Sequence, residues 1–151
     1  MYAFSNFKLG MSSLFIAFFL FIDSGITSVN SDTIEVTATV VLGTEKEKKS
    51  GKKVSNSIRK RLSKVFKWNN YYKLSDKKFS IPDNKTKSTV LSKKASIKVS
   101  NRKEGKISVS LFSEGKMLIQ KSQSLRSGSY MVLAGKSTGD SAWFIVISKS
   151  N

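Results

Sequence analysis

Three kinds of hydrophobic spacing follow one another along the 151 residues. The first is an unbroken apolar run, Leu14–Ile22 (LFIAFFLFI), with Lys8 upstream and Asp23, Ser24 and Gly25 closing it downstream. The second is a strict alternation over Thr33–Val41. Ile34, Val36, Ala38 and Val40 fall on one face, and Thr33, Glu35, Thr37 and Thr39 fall on the other. A period of two with β-branched residues predicts a half-buried strand. The third is a helical stripe over about Ser55–Lys67, in which Val54, Ile58, Leu62, Val65 and Phe66 share one side. Arg59, Lys60, Arg61, Lys64 and Lys67 occupy the opposite side.

Beyond residue 70 the pattern is β throughout. Tyr71–Leu74 and Lys78–Ile81 read as two short strands or one interrupted strand, ending at Pro82, and Asp83–Ser88 reads as a turn or loop. Ala95, Ile97 and Val99 alternate with polar residues, as do Ile107, Val109 and Leu111 after a turn at Asn101–Gly105. Ser113–Lys116 predicts a tight hairpin before Met117–Lys121, and Arg126–Ser129 predicts another turn before Tyr130–Ala134. Gly135–Gly139 then reads as a hairpin loop. Ala142–Ser148 (AWFIVIS) is apolar on both faces and therefore predicts a central strand. Short strands joined by Gly/Ser/Asn turns imply an antiparallel meander. The expected class is α+β, with one amphipathic helix packed on an antiparallel sheet of about six strands. A small β-sandwich or partial barrel is the alternative.

The apolar run changes where this domain is expected to work. Nine apolar residues behind a weakly positive segment fit the h-region of a secretory signal. A membrane-spanning helix needs about 20 residues. The chain is therefore expected to divide into a signal peptide, residues 1–31, and a single domain, residues 32–151. Cleavage would follow Thr27 or Ser31. With no Cys in the chain, a lipid anchor on an N-terminal Cys is excluded. The expected location is exported: periplasm, cell envelope or outside the cell.

Charge and chemistry sharpen the expectation. The formal net charge is +17, and residues 1–31 carry only Lys8 and Asp23, so their removal leaves it unchanged. The basic residues are lysines except for Arg59, Arg61, Arg102 and Arg126. Lysine is a hydrated point charge, whereas Arg is the usual bidentate reader of phosphate. The balance points to diffuse attraction toward an anionic polymer or membrane surface, and away from nucleic acid. A lysine excess that merely solvates strand faces would give the same composition.

The absence of His and Cys removes Ser-His-Asp and Cys-His nucleophiles, and zinc sites built on those ligands. The acids fall mostly beside Gly, Lys or Asn in turns, with Glu35 alone inside a strand, so paired-carboxylate hydrolysis has no evident pair. Ser57-Ile58-Arg59-Lys60 fits a Ser-x-x-Lys pattern, but Ser and Lys are too abundant for the match to inform. The aromatic cluster Trp68, Tyr71, Tyr72 and Phe79 could stack sugars or bases; the stronger expectation is a corner where helix and sheet meet. Asn84-Lys85-Thr86 matches a glycosylation acceptor. No catalytic, cofactor or metal residues are expected.

Leu62-Ser-Lys-Val-Phe66-Lys-Trp68, followed by Tyr72-Lys-Leu74, resembles a group of small exported bacterial proteins of unknown function. In that group one helix leads into a β-rich domain. The likeness spans about Thr33–Ser148 and implies location and fold only. Separately, Gly128–Gly135 (GSYMVLAG) with the terminal apolar strand is similar to a hairpin of outer-membrane secretin channels.

The functional expectation is an exported, basic, non-enzymatic protein binding an anionic envelope or extracellular component. Arg59, Lys60, Arg61, Lys64 and Lys67 are the anion-binding candidates. The alternative is a structural or accessory component of a secretion or surface assembly, with an envelope protein as partner.

Overall fold

The computed structural model describes residues 32–150, so the expected signal peptide lies outside the described residues. Its elements run β1 (Ile34–Thr44), α1 (Asn56–Leu62), β2 (Asn70–Ile81), β3 (Thr86–Ser92), β4 (Ala95–Asn101), a 3-10 turn (Lys103–Gly105), β5 (Lys106–Ser113), β6 (Lys116–Ser124), β7 (Tyr130–Thr138) and β8 (Ser141–Lys149). The strands pair antiparallel in two four-stranded sheets, ordered β2-β1-β8-β7 and β3-β4-β5-β6.

This overturns the expected helix on a six-strand sheet. The α+β assignment fails because the main core lies between two sheets, not between a sheet and a helix. Alternation puts Val36, Ala38 and Ile145 on the inner face of one sheet. Ile97, Val109 and Leu111 face them from the other, and all six are fully buried. Each sheet thus supplies the cover that the sequence reading assigned to the helix.

Except at the β2/β3 and β6/β7 crossings between sheets, each strand pairs with its predecessor in sequence, and β8 returns to pair with β1. The ring stays split into two sheets at its β2/β3 and β6/β7 corners. The residues there explain why. Register sets Lys77 opposite Ala38, Lys87 opposite Val99, Lys121 opposite Val109 and Gln123 opposite Ile107. Edge-strand positions that should face inward therefore carry groups too costly to bury unpaired. Instead Lys121 is exposed and the other three bridge the corners. Lys77 Nζ donates to the Val90 carbonyl, Lys87 Nζ sits 5.9 Å from the Phe79 ring centre, and Gln123 Nε2 donates to the Tyr130 carbonyl at 3.2 Å. Deeper in, the buried Asn101 amide donates to the carbonyls of Asp32 and Ile81, both at 3.0 Å, tying β4 to the opposite sheet.

The helix is shorter than its stripe predicted. Ser55 caps it by accepting from the Ile58 N–H at 3.4 Å, and the helix ends at Leu62, with Ser63 as its C-cap still in right-handed helical geometry. Leu62 is buried, but Val65 falls beyond the last turn and is 75 % exposed. Phe66 swings back so that its ring centre lies 4.4 Å from that of Phe144. Together with Val41, Val54, Tyr71 and Val146 these residues form a second apolar cluster on the outer face of the β2-β1-β8-β7 sheet. That face needs a cover because β8 is apolar on both sides. The outer face of the other sheet carries Ser96, Lys98, Ser100 and Ser110, which meet water, and Ser108, which is buried and accepts from Gln120 Nε2 at 3.1 Å.

Other boundaries moved for local reasons. Residues 71–81 form one continuous strand, since pairing with β1 absorbs its interruption in a bulge at Val40/Val41. Thr86–Ser92 is a strand, not part of a loop; its single buried residue, Leu91, left almost no periodic signal. Gly135–Thr138 belongs to β7 across a bulge, and the turn itself is Gly139-Asp140. The Glu114-Gly115 hairpin is as expected, with both residues at positive φ (50° and 78°), the geometry of a type I′ turn. Ala142–Ser148 does lie centrally, between β1 and β7.

Candidate anion-binding surfaces and an apolar cleft

The five helix-region candidates are divided between the helix and the segment that follows it. Arg59, Lys60 and Arg61 occupy the last turn of α1, where cations favour the helix dipole, while Lys64 and Lys67 lie beyond it; all five are exposed. Arg61 is committed to the fold. Its Nη2 donates to the Gly128 carbonyl at 3.0 Å, and its guanidinium carbon sits 4.8 Å from the Tyr130 ring centre. It pins the helix to the turn before β7. Arg59, Lys60, Lys64 and Lys67 stand in water.

The aromatic cluster does not form a stacking platform. Tyr71 and Tyr72 are buried, Trp68 packs in the outer cluster, and Phe79 packs against the main core. Burial pushes the Tyr71 phenol above its ordinary pKa, and its hydroxyl donates to the Phe66 carbonyl at 3.1 Å. The Tyr72 hydroxyl accepts from the Lys48 N–H at 2.8 Å. Glu35 is exposed, with the Ser80 hydroxyl donating to it at 3.3 Å. Among the described residues no three metal-ligating side chains gather into a cage.

A larger concavity lies elsewhere, at the end of the sandwich where β2 and β3 diverge. Three two-residue turns converge there: Lys93-Lys94, Glu114-Gly115 and Gly139-Asp140. A cleft of about 630 Å³ opens between the sheets. Its apolar wall is Val40, Leu42, Leu74 and Trp143, continuing the inter-sheet core outward. Lys93, Lys94 and Lys136 stand at its rim with one carboxylate, Glu114, which lies 3.8 Å from Lys94. Just outside, Lys46 and Asp140 pair at 2.9 Å. Their contact lowers the Asp140 pKa and raises that of Lys46, chiefly through the shared hydrogen bond.

Sequence reasoning missed this site. Lys93-Lys94 between two alternating segments signals a turn, but nothing along the chain links it to Lys136 or Trp143, some forty to fifty residues away. Only the pairing of β8 with β1, and of β4 with β5, brings them to one mouth.

Compared with protein-family models, curated proteins and solved structures, the chain matches none.

Proposed function

We propose that this chain is an exported, non-enzymatic protein that holds an anionic envelope or extracellular component against a lysine-rich surface. One observation carries the reading: the lysines outnumber their partners. Among the described residues carboxylates pair with Lys46, Lys53, Lys73 and Lys94, and the other lysines are exposed on both sheets and around the helix without a carboxylate beside them. Such a surface attracts polyanions at a range set by salt, about 10 Å at 0.1 M. The absence of His and Cys, and the isolation of Glu35, support a binding role over a catalytic one.

The test compares retention of the purified protein on a carboxylated or sulfated polymer resin and on its neutral parent, from low to high salt. Retention on the anionic resin alone, lost steeply as salt rises, is expected. Equal retention on both resins, or retention indifferent to salt, would overturn the reading. Export is tested by N-terminal sequencing of the protein from cell fractions, with a start after Thr27 or Ser31 expected outside the cytoplasm.

The accessory-component reading rests on a different observation. β6 is an edge strand whose Met117, Leu118 and Ile119 are all exposed, a template for strand addition by a partner. A stoichiometric complex that survives high salt would favour it.

A further inference from the structure

We propose that the cleft between the hairpin turns is a binding site for a single-chain anionic amphiphile, a long-chain carboxylate, with its hydrocarbon against Leu42, Leu74 and Trp143 and its head among Lys93, Lys94 and Lys136. The head-group half rests on the anion-binding reading above; the hydrocarbon half does not.

Four observations converge on this chemistry. The volume, about 630 Å³, falls in the range of small-molecule sites, roughly 300–1,000 Å³. The wall is apolar because it is the open end of the inter-sheet core: Val40 belongs to that core and Trp143 packs against it. Leu74, 56 % exposed, faces the opening from β2, so an apolar surface here meets water with nothing from the described residues covering it. The polar groups sit at the rim. There the hydroxyls of Ser92, Ser113 and Thr138 accompany three lysines against one carboxylate.

An apolar wall crowned by positive charge and hydroxyl donors complements a ligand with a hydrocarbon tail and an anionic oxygen head. A hydrophilic polyanion would use the lysines and leave the wall wet. A neutral apolar molecule would use the wall and leave the lysines without a partner. Among the exposed helix-region cations, Lys67 borders a smaller concavity of about 430 Å³, but there it is a single lysine in a lining that also carries Glu45.

The test is calorimetric titration of the purified protein with linear saturated carboxylates of increasing length, below micelle formation, beside the alcohols of the same lengths. Affinity is expected to rise roughly fourfold per methylene until the cleft is filled and then to level off. At equal length, carboxylates should bind more tightly than alcohols, by a margin that shrinks with salt.

Leu74 and Thr138 are exposed, so changing them should spare the fold, and unaltered circular dichroism and melting temperature verify this. Leu74→Asp and the cleft-filling Thr138→Trp should each weaken dodecanoate about tenfold, a loss of one buried apolar contact surface. Lys93→Glu with Lys136→Glu should bring dodecanoate down to the level of dodecanol.

Absence of saturable binding at any chain length would overturn the site, even with retention on anionic polymer intact, in which case the broader reading stands alone. Binding that ignores Leu74→Asp and Thr138→Trp in folded protein would overturn the location. Alcohols binding as tightly as carboxylates would overturn the anionic head group. A dimer that Thr138→Trp dissolves would identify a second copy as the occupant and overturn the proposal as well.

Discussion

Trp143 lies over Gly135 so closely that a Cβ on that glycine would stand 2.1 Å from the indole Cε2. The φ of Gly135 is ordinary, so proximity alone excludes a side chain there. Gly135→Ala must push the indole outward or bend β7 at its bulge, and overpacking of this kind costs about 1–3 kcal/mol. Urea unfolding is expected to show the loss as a lower midpoint, with altered tryptophan emission because Trp143 also walls the cleft. An unchanged midpoint and spectrum would remove Gly135 from the account of how the cleft is shaped. From sequence Gly135 looked like one of several loop residues between two strands. Its role depends on a bulge in β7, and a bulge is a property of two paired strands rather than of one segment.

At the scale of elements, the edges decide how the protein behaves in company. β6 exposes Met117, Leu118 and Ile119 in succession along an unpaired edge, flanked by Lys116 and Lys121. Flanking lysines restrain edge-to-edge pairing of such a stretch. Ile119→Lys adds a charge at a position already 41 % exposed. It is expected to slow aggregation on heating while shifting stability by less than about 1 kcal/mol. Light scattering during a thermal ramp, beside a urea titration, measures both. Equal scattering in the variant would place the association-prone surface elsewhere. The helix shows the reverse case, where a strong sequence pattern overstated the element. Its stripe is real, but the helix ends at Leu62, and Phe66, whose N–H still bonds the Leu62 carbonyl, turns its ring onto Phe144.

For the molecule as a whole, β8 is the strand on which everything closes. It lies between β1 and β7, with Ile145 and Ile147 in the inter-sheet core and Phe144 and Val146 in the cluster under the helix. Ending the chain at Asp140 removes both sets at once and leaves β1 and β7 unpaired along those edges. Loss of cooperative unfolding and of near-ultraviolet dichroism is expected, well beyond what a single core truncation of about 2–5 kcal/mol would do. A truncated chain that still melts cooperatively would show the two sheets to be separately stable. Because β1 and β8 lie at opposite ends of the described chain, folding must close the longest loop before that pairing gains anything.

Most strands were legible in the sequence because period-two alternation is local: Ile97 and Val99, or Ile107, Val109 and Leu111, declare their shared face without reference to any other segment. The central place of AWFIVIS was legible for the same reason, since burial on both faces leaves no polar side to read. The sequence also determined the charge, the absence of thiol and imidazole chemistry, and the turn at Glu114-Gly115. Tertiary structure alone decided which strands share a sheet. The inward faces of Lys77, Lys87, Lys121 and Gln123 become visible only once register sets them opposite core residues, and the cost of burying them keeps the ring open at two corners. It alone gathered Lys93, Lys94 and Lys136 around Leu74 and Trp143. Alternation says which side of a strand is apolar; only pairing between distant segments says what that side meets.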